Sequence, residues 1–309
     1  MNVVRIALFV AAIAFCLTKW ATTPIALALG LALALTIGQP LPRSTTSRAT
    51  KLLLQASVVG LGFGANLHAV LDAGRDGLLF TIATIAGTLL LGFLLGRALK
   101  IERTTAHLIS SGTAICGGSA IAAVGPVLGA TDEEMSVSLG TVFILNAIAL
   151  FIFPPIGRAL AMSQHQFGIW AAIAIHDTSS VVGAAQRFGF EAQKIATTVK
   201  LTRALWIVPL TLATAAAFRT RSARIAIPWF IGFYVIASVI LTYALLPAWL
   251  CADLVKIAQV GLKITLFLIG AGLSRSAIAA VGARPLILGV MLWIAISLAS
   301  LWSVLTLVR

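Results

Sequence analysis

Apolar runs of about twenty residues recur from one end of the chain to the other, and that length as helix crosses a hydrocarbon core of ~30 Å. "LLFTIATIAGTLLLGFLLG" at 78–96 and "LILGVMLWIAISLASLWSVLTL" at 286–307 are two of them. Only 10% of the 309 residues are charged and 60% are hydrophobic, against roughly 25% charged residues in an ordinary soluble domain. A polar shell cannot be built from so few polar side chains. The chain therefore reads as one integral membrane domain over 1–309, an all-α polytopic protein.

Apolar segments fall near 3–18, 22–38, 52–70, 78–96, 106–129, 134–157, 166–186, 197–217, 226–246, 255–273 and 285–307. This predicts about eleven transmembrane helices. The N-terminal "MNVVRIALFVAAIAFCLTKW" has the charged start and apolar middle of a signal peptide but no A-x-A-like cleavage site, so it reads as the first span. The net charge of +13 comes from basic residues at the ends of apolar runs. They orient the chain in the bilayer and do not suit nucleic acid, which calls for a basic patch or tail.

The basic clusters Arg43/Arg48/Lys51, Arg97/Lys100/Arg103 and Arg219/Arg221/Arg224 fall on one predicted side. The other side carries scattered single cations and the acidic "TDEE" at 131–134. The positive-inside bias puts the N-terminus in the cytoplasm and the C-terminus outside. Cys16, Cys116 and Cys251 stand in separate apolar segments without ligand spacing, so neither a metal site nor a cofactor is expected.

Shifting the chain by 208 residues lays "LGFGANLHAVLDAG" at 61–74 over "IGAGLSRSAIAAVG" at 269–282. Gly62, Gly64, Ala69 and Gly74 then coincide with Gly270, Gly272, Ala277 and Gly282. Repeat-like units 1–101 and 205–309 thus flank central helices at 106–186. The copies are seven predicted spans apart, an odd number, so they cross in opposite senses, as in inverted-repeat secondary transporters.

Three polar features interrupt the apolar pattern. The first is "SSGTAICGGSAIAAVGPVLGA" at 110–130. Each glycine in a helix interior costs about 1 kcal/mol relative to alanine, and Gly117 and Gly118 stand together at mid-span. Two readings remain open: a small-residue surface around Gly112, Ser119 and Ala120 for close helix packing, or a discontinuous helix. In the second, a half-helix starting near Ser119 offers unpaired amides to an anion, with Ser111, Thr113 and Ser119 adding hydroxyls.

The second feature is "AIHDTSSVVGAA", which puts His176, Asp177, Thr178, Ser179 and Ser180 in the middle of 166–186. An ionised Asp at the centre of a spanning helix costs about 2.5–3.5 kcal/mol. Such a run reads either as a structural buried pair or as a proton- or ion-coupling site. The third comprises the cations inside predicted spans, Arg203 in "KLTRALW" and Lys263 in "GLKITLFLIGAG". Their place about two turns from a helix end favours snorkelling; facing the bundle, they would supply positive charge to an anion. Asn146 reads as a residue that joins helices. Cys116, His176 and Asp177 match a nucleophile, base and acid by residue type, but neighbours on one helix point about 100° apart, which disfavours an enzyme.

With these residues in view, the chain resembles the YeiH-type family of bacterial inner-membrane proteins, described as sulfate exporters. The resemblance rests on "GTAICGGSAIAA" at 112–123, "IHDTSSVVGA" at 175–184, "KLTR" at 200–203, "IPWF" at 227–230 and "LFLIGAGL" at 266–273. It implies a fold similar to sodium/proton antiporters and bile-acid sodium symporters, with a panel domain, a core domain and crossed broken helices.

It further implies a non-enzymatic carrier in the inner membrane that exports sulfate or a related sulfur oxyanion by alternating access. The substrate would meet Gly112, Thr113, Cys116, Gly117, Gly118, Ser119, Lys200 and Arg203. His176, Asp177, Thr178 and Ser179 would couple transport to a proton or cation. The expected partners are the lipid bilayer, the anion and the coupling ion; self-association into a homo-oligomer is left open. Two departures stand out: some members carry Glu where this chain has Asp177, and a basic residue of the third span is replaced by the small residues around Gly64 and Ala65. The competing functions are a membrane enzyme using Cys116 and a non-transporting scaffold or sensor.

Overall fold

The computed structural model describes residues 2–18, 20–38, 43–68, 78–218, 229–272 and 281–308. Among them every regular element is a helix: α1 (Asn2–Cys16), α2 (Thr23–Thr36), α3 (Arg43–Gly62), α4 (Leu78–Ala98), α5 (Arg103–Ala114), α6 (Gly118–Leu128) and α7 (Asp132–Ala159). There follow α8 (Gln164–Ala174), α9 (Thr178–Phe188), α10 (Phe190–Ala204), α11 (Ile207–Ala217), α12 (Trp229–Thr242), α13 (Ala248–Gly272) and α14 (Ala283–Leu307). Phe80–Ala98, Asp132–Ala159, Phe190–Ala217, Ala248–Gly272 and Ala283–Leu307 are long and apolar enough to cross a membrane by length and composition.

Each expected apolar segment overlaps helix, and three helices start earlier than expected: α3 at Arg43 and not 52, α10 at Phe190 and not 197, and α13 at Ala248 and not 255. The "FGAN" at 63–66 that follows is turn and bend, and Gly64 among these residues makes helix costly there. The later part of each 208-residue repeat stretch, 69–74 and 273–280, lies outside the described residues, as do Lys19, Arg75, Arg219, Arg221, Arg224, Arg275 and Arg309.

The chain divides into two compact units. The first holds Met1–Ala69 and Trp229–Ile278. In it α13 packs against α2 and α3, and α12 against α3. Glycines set the contact distance: a Cβ at Gly30 would overlap the Phe267 carbonyl, and one at Gly270 the Leu27 carbonyl. Phe9 closes the other face of α13, its ring 5.1 Å from that of Phe267.

The second unit holds Val70–Pro228 and Ala279–Arg309. Here 106–129 and 166–186, each expected to cross once, prove to be helical hairpins that turn back midway. Phe167 and Phe188 stack with ring centroids 3.9 Å apart, although 21 residues of straight helix would separate them by about 30 Å. Gln164 Oε1 accepts from the Glu191 and Ala192 amides at 3.1 and 3.3 Å, closing the base of this α8–α9 hairpin.

The α5–α6 pair folds likewise. At its base His107 bonds Thr214 at 3.0 Å and Arg103 sits 4.6 Å from the centre of the Phe218 ring. The same helix, α11, also packs along α6, so α6 returns toward the end where α5 began. Against α7, Gly118 meets Phe143 and Gly125 meets Met135, an antiparallel register that leads α6 back to the start of α7.

Helix α7 orders the two hairpins. One has its base at α7's N-terminus, which is fixed by a Thr131/Glu134 capping box. The other has its base at α7's C-terminus, where Arg158 donates to the Arg187 carbonyl at 2.7 Å. The tips meet near Asn146, halfway along α7. Helix α14 passes both hairpins, with Leu288 and Leu292 in a core with Ala106 and Ile109, and the Ser297 carbonyl accepting from Trp170 at 3.0 Å.

Adding bulk at the glycine contacts of the first unit tests that packing. Gly30→Val or Gly270→Val should cost about 1–3 kcal/mol by overpacking. Gly272→Ala, with nothing within 4 Å of its Cβ, should melt like the parent. Thermal unfolding in detergent reads the difference.

Candidate functional site

Helix α5 stops because the chain takes a conformation open only to glycine. The Gly117 amide donates back to the Gly112 carbonyl at 2.8 Å, and Gly117 itself has φ 60° and ψ −123°. A side chain there would be strained, and its Cβ would also lie 3.3 Å from Val142 and 3.4 Å from the Asp177 backbone. Helix α6 then starts at Gly118 with no side-chain cap. The discontinuous-helix reading therefore holds, and the glycines serve close packing as well.

The second break uses different chemistry. Ile175 is extended, and Asp177 caps α9, its Oδ2 accepting from the Ser179 and Ser180 amides at 3.0 and 3.3 Å and from the Ser179 hydroxyl. The sequence placed His176 and Asp177 in mid-helix; both instead lie in the gap between half-helices. An Asp-Thr-Ser-Ser run competes with helix for backbone amides, which is why it favours a cap. Asn146 Oδ1 holds this tip to α7, accepting from the His176 and Asp177 amides at 3.0 and 3.2 Å.

Helix C-termini leave unpaired carbonyls and a partial negative charge, and two such ends meet here in an apolar interior. Lys200 and Arg203, three apart and so on one face of α10, answer both. Lys200 Nζ donates to the Ile115 carbonyl at 2.7 Å and the Ile175 carbonyl at 2.9 Å, one from each break. Arg203 donates to the Ala114 carbonyl at 2.6 Å and to Thr84 at 3.0 Å. Trp293 donates to the Ala174 carbonyl at 3.0 Å. Lys200 is 0% exposed and Arg203 1%.

Arg203 therefore does not snorkel. The Ala114 carbonyl and Thr84 give it partners inside the protein. Lys263 lies in the other unit and donates to the Thr18 carbonyl at 3.3 Å.

Several buried polar atoms around the tips find no protein partner: the Ser111 and Thr113 hydroxyls, Asn146 Nδ2, both ring nitrogens of His176 and Arg203 Nε. Native interiors seldom leave such groups unpaired without a ligand, water or functional reason. Most are donors, and the α6 amides at Gly118 and Ser119 add two more at the positive end of a helix. Ser119 is exposed and Gly118 half-buried, so this end of the tip is open while Cys116, 1% exposed, is shut in.

The candidate substrate and coupling residues named from the sequence stand at or next to the two tips or on the face of α10 that meets them, whereas Lys263 lies in the other unit. Thr84 and Trp293 were missed, because nothing local distinguishes one Thr or Trp in an apolar helix. Asn146 was read as a helix joiner; it joins a tip instead, and it is the lone amide in "TVFILNAIALF". No group of three His, Cys, Asp or Glu side chains that could hold a metal is gathered among the described residues.

The cap can be separated from the charge at Asp177. Asp177→Ala should cost about 0.5–2 kcal/mol of stability, whereas Asp177→Asn, an equally good cap, should cost little. Melting of the two variants against the parent decides.

Similar chains carry membrane-protein names. The chain is 58% identical over 287 residues to a "UPF0324 membrane protein" of Bacteroides thetaiotaomicron, covering 92% of this chain and 86% of that one. It is 48% identical over 296 residues to one of Shewanella oneidensis, covering 95% and 93%. No solved structure matches significantly. A family model described as "Conserved hypothetical protein 698" matches residues 1–289, and the chain belongs to this family, that of the UPF0324 membrane proteins, which is also the YeiH-type family.

Proposed function

We propose that the protein is a secondary active transporter of a small anion, sulfate or a related sulfur oxyanion, working by alternating access in the bacterial inner membrane. The observation that carries this reading is the meeting of two hairpin tips at the middle of α7, with Lys200 and Arg203 buried against them. Half-helix ends facing each other at mid-depth are how secondary carriers bind ions inside a bilayer. Arg203 Nε, Asn146 Nδ2, the Ser111 and Thr113 hydroxyls and the α6 amides all suit an acceptor-only oxyanion.

Inverted repeats are supported by the contacts of the first unit. Gly62 abuts Tyr234 and Ala237 of α12, and Gly270 abuts Leu27 and Leu31 of α2. The 208-residue shift that carries Gly62 onto Gly270 carries 27 and 31 onto 235 and 239, one and two positions from Tyr234 and Ala237. Reciprocal contacts of this kind are what a two-fold pseudo-symmetry produces. Turning two expected spans into hairpins leaves an odd number of crossings between the copies, so the inverted sense survives, as does the cytoplasmic N-terminus. Self-association stays open in this reading.

Asp177 supplies the coupling. Its backbone lies beside Gly117, at the start of the α6 amides. An anion seated there is repelled by the carboxylate and accepted once it is protonated, so anion and proton travel together, with His176 as the neighbouring proton carrier; this coupling moves the anion with the proton gradient, opposite to the export that the family resemblance implies. The reading is not enzymatic: a Cys116 nucleophile would need a base, and His176 and Asp177 are engaged at the other tip as backbone donors and helix cap.

Protein in liposomes should accumulate labelled sulfate under an inward proton gradient, about tenfold per pH unit for one coupled proton. Asp177→Asn should still bind and exchange anion but lose the response to the gradient. Absence of counterflow across a panel of sulfur oxyanions and carboxylates would sink the transporter reading.

A further inference from the structure

The family resemblance makes Lys200 an anion ligand, but its geometry says otherwise. Two of its three ammonium protons are already given to the Ile115 and Ile175 carbonyls, at 2.7 and 2.9 Å. Those carbonyls belong to different hairpins, 85 and 25 residues away in sequence, and each terminates a half-helix at its negative end. Unwound carbonyls and half-helix C-terminal ends are the groups with which carriers coordinate a sodium ion or proton. The next carbonyl back on each hairpin is also engaged, Ala114 by Arg203 and Ala174 by Trp293.

We propose that the Lys200 ammonium is a tethered cation, holding the two hairpin tips together in the place an alkali-metal ion would take between the breaks, so that this chain requires no sodium there. Lys200 is thus a positioning residue and not a ligand of the anion. Its covalent stem keeps the cation present whatever the ionic composition outside, at the cost of an ion that cannot leave. The part of the inference that concerns coupling rests on the transporter reading: with the alkali-ion place filled, the proton on Asp177 is the coupling ion. The part that concerns the tips stands on the hydrogen bonds alone.

The test uses the full chain purified in detergent and needs no transport. Wild-type protein should melt within about 1 °C in sodium, lithium, potassium and choline chloride at equal ionic strength, a spread well under the effect of 1 kcal/mol. Lys200→Ala should melt several degrees lower and exchange its amide hydrogens faster at 115–118 and 175–178. A small cation that binds the emptied place stabilises only the folded form, so methylammonium or sodium should restore part of the melting temperature and the tip protection, and choline should not.

Wild-type melting or anion uptake that depends on sodium over choline overturns the inference, and this arm needs no variant to fold. So does Lys200→Ala with parental melting and tip protection, or a variant that methylammonium and sodium restore no better than choline. A protein that moves no anion yet gives the expected melting pattern would defeat the proposed function and leave Lys200 as the tether.

Discussion

Four backbone ends meet in the middle of the second unit, and everything around them serves to satisfy those ends. Water satisfies broken helices at a protein surface, but a hydrocarbon interior does not, and each unsatisfied backbone group there costs several kcal/mol. The protein meets this demand with a fixed set of side chains. Lys200 and Arg203 take the carbonyls, Trp293 takes another, Asn146 takes two amides and Asp177 caps α9. The start of α6 is the one end of the four without a side-chain cap.

That asymmetry connects the fold to the proposed chemistry. An uncapped helix N-terminus bordered by unpartnered donors favours an anion, while the capped one next to it carries a negative charge. Bringing a second negative charge beside Asp177 is unfavourable unless a proton comes too. In the proposed function, coupling comes from the proximity of the two tips and needs no separate device. Tip proximity in turn depends on Gly117, where any Cβ would press on Val142 and the Asp177 backbone.

Much of the site was legible in the sequence because polar residues are expensive in a membrane and therefore conspicuous. Gly117 and Gly118, the run from His176 to Ser180 and Arg203 stand out in predicted spans and gather at the tips, where Lys200, named only through the family resemblance, joins them. What went unread was their job. Asp177 looked like a charge in mid-helix and is a cap; Arg203 looked like a snorkelling residue and is a carbonyl partner. Hydropathy also mistook two hairpins for two spans, since a pair of half-length helices and one full-length helix bury similar runs of apolar residues. Only a contact such as Phe167 against Phe188 separates the two.

The sequence by itself determined the membrane class, the approximate position of the apolar segments and one place, Gly117 and Gly118, where a helix was open to breaking. Those properties are local: they follow from transfer free energies and glycine's backbone freedom, each set within a few residues. Tertiary structure alone decided that the chain also breaks at Asp177, that it turns back at both breaks, that the turns meet at Asn146, and that one lysine joins them. Those outcomes hinge on hydrogen bonds between residues 25 to 85 positions apart, where each orphaned carbonyl or amide finds its partner from whichever helix passes closest.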